Sequence, residues 1–214
     1  MYIPKQFEET RVEVMHELMR ANPLATLITL ASAGLNANHI PFYLSPEPAP
    51  YGVLQGHVAR ANTVWTDFAK DTEALVIFHG PQAYISPSWY ATKRETGEVL
   101  PTWNYITVHA YGSLRIKDDP AWLQAQLEAL TSRNEADFQE PWKIADAPQD
   151  FTEKLIGAIV GIEIVITRLH GKWKLSQNQP ERNRQGVIKG LESVGTGPAL
   201  EMAEAVAKAA KGIS

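Results

Sequence analysis

Residues 24–44 read LATLITLASAGLNANHIPFYL, and the way this stretch folds decides the architecture. LATLITLA is a β-branched apolar run, SAGLN is a turn in which Gly34 can take a positive φ without a Cβ clash, and LNANHIPFYL follows with extended patterning. Together they read as a β-hairpin, and a hairpin commits its two strands to antiparallel pairing.

The flanking sequence repeats that theme. Before the hairpin, Val12, Met15, Leu18 and Met19 recur at helical spacing, and Asn22-Pro23 closes the helix. After it, the Pro-rich link SPEPAP leads to a strand in YGVLQGHVA and to a short helix over 63–70 with Asn62 as its N-cap. EALVIFH and QAYISP read as two strands parted by a turn at Gly80-Pro81, and WNYITVHAYGSLRIK as another. Asp118-Asp119-Pro120 opens a helix carrying Leu123, Leu127 and Leu130, a second helix covers 149–158, and AIVGIEIVITRL is the last strand. Two helices close the chain, one after Pro180 and an Ala-rich one over 198–211. Six or so strands, mostly joined by hairpins and rarely alternating with helices, predict a mainly β, α+β fold. The expected form is an antiparallel barrel with helices outside rather than a doubly wound sheet. The expected organisation is one domain over residues 1–194 and a C-terminal helical tail over 195–214.

Composition excludes several chemistries. Twenty Lys and Arg against 24 Asp and Glu give a net charge of -4, so the molecule as a whole repels a phosphate backbone and any DNA contact rests on a local patch. The chain has no Cys, which removes disulfides, iron–sulfur ligation, thiolate nucleophiles and Cys-type zinc sites. MYIPKQFEET lacks the apolar core of a leader peptide, and the longest apolar stretch, 156–166, is too short to span a bilayer and contains Glu163. The expected location is cytoplasmic, away from membranes.

GTGPAL at 195–200 follows a helix rather than a strand and has Leu200 where a dinucleotide fingerprint needs a small residue, so it reads as a linker. Neither a P-loop nor an H-E-x-x-H motif occurs, and the six histidines show no pair at helical metal spacing, so no metal site is expected. His39 in NHIPF and His57 in GHVARAN stand at strand ends beside polar groups. In GHVARAN, Arg60 and Asn62 fall where strand gives way to helix, and there a guanidinium, an amide and free backbone N–H groups can meet an anion. The competing reading is that Asn62 caps the helix and Arg60 pairs with an acidic neighbour.

Aromatics gather in YISPSWY (84–90) and PTWNY (101–105), flat faces next to hydroxyl and amide donors that suit a planar heteroaromatic ligand. Core packing competes for Tyr84, but less so for Asn104 between Trp103 and Tyr105, since a buried amide needs several partners. Lys172, Lys174, Ser176, Gln177 and Asn178 follow the last strand, where a barrel opens, as a ligand-facing group or as a solvated loop. Taken together, the clusters ask for a ligand with one phosphate, one flat ring system and polar ring edges.

MYIPKQF, NHIPF, GHVARAN, GPQAYISPSWY, PTWNYITVHAYG and GKWKLSQN, in that order, resemble the PaiB family of FMN-binding negative transcriptional regulators, linked with protease production and sporulation. That family is similar to the wider FMN-binding split barrels, among them pyridoxamine-phosphate oxidases and some haem-degrading proteins, with the flavin at a homodimer interface. The resemblance implies an antiparallel split β-barrel, FMN as cofactor and a homodimer. It implies His57, Arg60 and Asn62 on the phosphate side, and Trp103, Asn104, Tyr105, Lys174, Gln177 and Asn178 around the rest of the flavin, with His39 nearby. Gln179 stands where the pattern leads one to expect a basic residue. Two functions follow: a regulator, or an FMN-dependent oxidoreductase acting on a small molecule or a reduced nicotinamide. No helix-turn-helix with a basic recognition helix is evident, so direct DNA binding is expected to be weak and confined to Lys172, Arg182, Arg184 and Lys189.

Overall fold

A computed structural model describes residues 1–211. The last three residues of the expected tail, 212–214, lie outside the described residues. The chain opens with a 3-10 turn, β1 (Glu8–Glu9) and α1 (Val12–Ala21), where Met15 and Met19, one helical turn apart, are buried. β2 (Leu24–Ala31) and β3 (Gly34–Pro41) then pair antiparallel in unbroken register, from Leu24↔Pro41 to Ala31↔Gly34. The hairpin is present but stops at Pro41. Residues 43–45 leave it as β4 (Tyr43–Ser45), which pairs with β5 (Val53–Ala59) instead.

Three local expectations are corrected. The helix expected over 63–70 is one 3-10 turn, Thr63–Trp65. Asn62 Oδ1 caps it by accepting from the Val64 N–H, but Asp67 is drawn away to the backbone N–H and hydroxyl of Ser32, and the Ala69 N–H bonds to Leu30 O. Those side bonds compete with helix propagation. Gly80-Pro81 is no turn: β6 (Ala74–Ile85) runs straight through it. Its pairing with β2 runs over Leu75–Ile77, four residues before Pro81, so the proline stands outside that ladder. A Cβ on Gly80 would stand 2.7 Å from Leu18 Cδ1, so this glycine answers to packing rather than chain reversal.

β7 (Thr102–Lys117) precedes α2 (Pro120–Glu135), whose N-cap Asp119 accepts from the N–H groups of Ala121 and Trp122. α3 (Gln149–Gly157) leads to β8 (Ile159–Lys174). The third correction concerns β8, which continues five residues past Leu169, so Lys172 and Lys174 lie within the strand rather than beyond it. β1 supplies the reason, pairing Glu8↔Lys172 and Glu9↔Gly171. α4 (Glu181–Val194) and α5 (Gly197–Ala210) complete the chain, and Val187 and Leu191 of the first share an apolar core with Met202, Ala203 and Val206 of the second.

The strand order is β3-β2-β6-β7-β8-β5-β4, with β1 on β8, an open path ending in β3 and β4. This is the antiparallel, helix-flanked split-barrel arrangement. The chain packs as two compact units. One is made of Met1–Leu18, His79–Val108 and the chain from His170 on; the other of Met19–Phe78 and His109–Leu169. Among the described residues no helix is long and apolar enough to cross a membrane.

Candidate functional site

The ten residues singled out above divide between the two units. His39, His57, Arg60 and Asn62 belong to the second, and Trp103, Asn104, Tyr105, Lys174, Gln177 and Asn178 to the first.

In the second unit each residue is held by its own partner. The end of β5 delivers Arg60 to Asp118, just ahead of α2. Nη1 and Nη2 donate to the two carboxylate oxygens at 3.0 and 2.6 Å, while Nε and Nη2 also donate to the carbonyls of Gly157 and Ile159. This bidentate pair holds the Asp118 carboxyl below its usual range. Asn62 caps the Thr63–Trp65 turn with its oxygen and donates through Nδ2 to Asn38 Oδ1 at 2.8 Å. His39 sits opposite Thr26 in the hairpin, with Nδ1 3.2 Å from the threonine hydroxyl. The Nδ1 of His57 is 2.9 Å from Gln126 Oε1, a side-chain oxygen that only accepts, so the histidine donates. Neither pairing, Arg60 with an acid or Asn62 as a cap, leaves those groups idle.

The first unit brings cations and aromatics to one place. Strand alternation puts Lys172 and Lys174 on the same face of β8. Lys172 is only 8% exposed; its Nζ donates to Tyr2 O at 3.1 Å and stands 5.1 Å from the centroid of the Tyr105 ring. Lys174 Nζ donates to the Thr102 hydroxyl and, at 2.9 Å, to Trp103 O. Among the described residues neither lysine forms an ion pair, and the nearby Glu9 is already held by Arg11. Burial pushes the Lys174 ammonium below the ordinary lysine value, and the Lys172 charge adds to that while Tyr105 opposes it. Trp103, 53% exposed, meets Tyr84 edge to face at a centroid distance of 6.0 Å.

Behind this face lies KLSQN. Asn104 is fully buried; its Nδ2 donates to Ser176 Oγ at 3.0 Å, and that hydroxyl stands 3.3 Å from Asn104 Oδ1. Gln177 accepts from the Leu175 N–H and donates to Trp173 O. Asn178 is exposed. Thus Asn104, Ser176 and Gln177 build the turn, Lys172 lies buried against Tyr2 and Tyr105, and Lys174, Tyr105, Trp103 and Tyr84 make the open face. Sequence reading left out Tyr2 and Thr102 as lysine partners. Thr102 was findable, since it adjoins Trp103 at the start of β7, whereas nothing in the sequence ties Tyr2 to Lys172.

Two uncompensated ammonium groups beside half-exposed flat rings suit a planar ligand that carries negative charge, and FMN is such a group. Comparison with known proteins agrees. Residues 1–168 match a family model described as "Putative FMN-binding domain". The chain is 33% identical to Protease synthase and sporulation protein PAI 2 of Bacillus subtilis, with 95% of each chain covered. It is 37% identical to an uncharacterized protein of Emericella nidulans, with 92% of each covered. Among solved structures, a flavocytochrome from Azotobacter vinelandii matches with a TM-score of 0.60 at 12% identity, over 80% of this chain and 72% of that one. A FAD and heme binding protein from Mycobacterium smegmatis matches with a TM-score of 0.57 at 15% identity, over 86% and 80%. These last two likenesses are of fold. The family match and the identity to PAI 2 carry the assignment: the chain belongs to the PaiB family of FMN-binding split-barrel proteins.

Proposed function

We propose that this protein is a cytoplasmic, homodimeric flavoprotein that uses FMN as an oxidoreductase toward a small molecule, with the flavin against the Lys172–Lys174 face. The observation that carries the reading is the pair of lysines without a carboxylate partner, one of them buried, beside Tyr105 and Trp103. Bound FMN supplies redox chemistry that no side chain of this Cys-free chain provides. The chain's part is to hold and tune. Lys172 and Lys174 offer positive charge to the anionic groups of the ligand, and charge of that sign near a flavin ring favours its reduced state. Trp103 and Tyr84 offer apolar faces while staying accessible to a second molecule. Exposed Leu30 and Leu35, directly opposite one another in the β2–β3 hairpin, support self-association.

The test joins binding and turnover. Purified protein is titrated with FMN and riboflavin, and the FMN form is then mixed anaerobically with NADH or NADPH while flavin absorbance is followed. Bleaching that recovers in air supports the oxidoreductase. FMN binding without reduction by any donor leaves the second reading, a negative regulator of transcription, which the resemblance of motifs such as PTWNY and KLSQN to the PaiB family implies. Sedimentation reads the dimer as twice the chain mass.

A further inference from the structure

The second unit contains a cavity of about 450 Å³, half open, under α2 and α3. Leu127, Trp142, Phe151, Leu155 and Ile159 form much of its wall, and His57 is set into that wall from β5. Its volume falls in the range of small-molecule sites. No Lys, Arg, Asp or Glu lines it, so the charged tail of a flavin mononucleotide or any other nucleotide finds no counter-charge there.

One polar group in this wall is prepared. Because His57 Nδ1 donates to Gln126 Oε1, the proton of the neutral ring is fixed on Nδ1 and Nε2 is left as an acceptor. Gln126 is 2% exposed, and its own Nε2 has no partner among the described residues. An unsatisfied buried amide nitrogen is costly, and what that amide achieves is to fix the histidine's tautomer and ring plane. At the same cavity Trp142, Phe151 and Leu155 are left half-exposed, apolar area that an occupant would cover.

We propose that this cavity is a second ligand site, taking a neutral, flat, one- or two-ring molecule that donates a single hydrogen bond to His57 Nε2. The flat walls of Trp142 and Phe151 select rings, and the absence of charge selects neutral compounds. The inference does not depend on where FMN binds.

Naphthol and naphthalene, which differ by the one O–H, separate this site from a merely greasy hollow. Calorimetric titration of the full-length protein is expected to show one equivalent of naphthol bound, with naphthalene about tenfold weaker. His57→Phe should bring naphthol down to the naphthalene affinity and leave naphthalene unchanged. Ala147→Trp, which adds bulk to the lining, should abolish both and so covers the case in which the histidine variant fails to fold. Flavin titration of Ala147→Trp should match the parent. Equal affinity for the two compounds, or naphthol binding that survives Ala147→Trp, overturns the proposal, and so does the absence of binding by either.

Discussion

Asn104 of β7 and Ser176 of the turn after β8 hold one another, 3.0 Å from amide nitrogen to hydroxyl and 3.3 Å from hydroxyl to amide oxygen, and Ser176 does so at φ 63°. That left-handed backbone is uncommon for a residue with a side chain and costs roughly 1 kcal/mol. Substitution therefore separates two effects. Ser176→Ala keeps the strained φ and strands the buried Asn104 amide, so urea unfolding should show a loss of about 2–3 kcal/mol. Ser176→Gly strands the same amide but relaxes the backbone, and should lose about 1 kcal/mol less. Equal losses would mean that the φ carries no strain.

Gln177 spends both ends of its amide on the turn, at 2.7 Å from the Leu175 N–H and 2.6 Å from Trp173 O. Gln177→Ala should therefore lower stability by roughly 1–2 kcal/mol and weaken FMN and riboflavin by the same factor, through a loosened turn. A loss confined to FMN, with stability unchanged, would instead make Gln177 a direct phosphate contact.

The fold was legible where the signal was local. The β2–β3 hairpin, the Asp119-Pro120 helix start and the two closing helices each announce themselves within a dozen residues. Misreadings arose where a distant partner decides. β8 extends to Lys174 because Glu8 and Glu9, at the far end of the chain, pair with it, and Gly80 is set by Leu18 rather than by a turn. The same holds at the site. The convergence of Lys172, Tyr105 and Tyr2 spans almost the whole chain, and the Arg60–Asp118 pair joins residues 58 apart. Motif chemistry offered Arg60 either an external anion or an acidic neighbour, but only the fold shows that the neighbour is Asp118.

Lys174 should report flavin binding through its titration. Its ammonium lies below the ordinary lysine value because burial disfavours the charge. The folded state thus loses its proton before the unfolded chain does, and Lys174 makes its unfavourable contribution at neutral pH. That contribution is relieved as pH rises through the window between the lowered value and the ordinary one. An anion bound beside it reverses the sign. FMN should raise the Lys174 midpoint, and FMN affinity should fall as pH climbs through the apoprotein value. Side-chain NMR of Lys174 with and without FMN checks this. A midpoint unmoved or lowered by FMN would remove the flavin from this face.

Direct DNA binding should be feeble, and the reason lies in how the basic residues are used. Of the four that could form a patch, Lys172 is buried against Tyr2 and Tyr105, and Arg182 forms a bidentate pair with Glu95 at 2.8 and 2.7 Å. Arg184, half-buried, and Lys189, exposed, are left on α4. Each phosphate contact contributes about 0.9 to the slope of log affinity against log salt, so two contacts predict a slope no steeper than about -2. Fluorescence anisotropy with duplex DNA from the protein's own upstream region, across a salt series, measures it. Glu95→Gln should free Arg182 and steepen the slope by about one if α4 faces the duplex, whereas a parent slope beyond about -4 would require more phosphate contacts than Arg184 and Lys189 supply, and would overturn this reading.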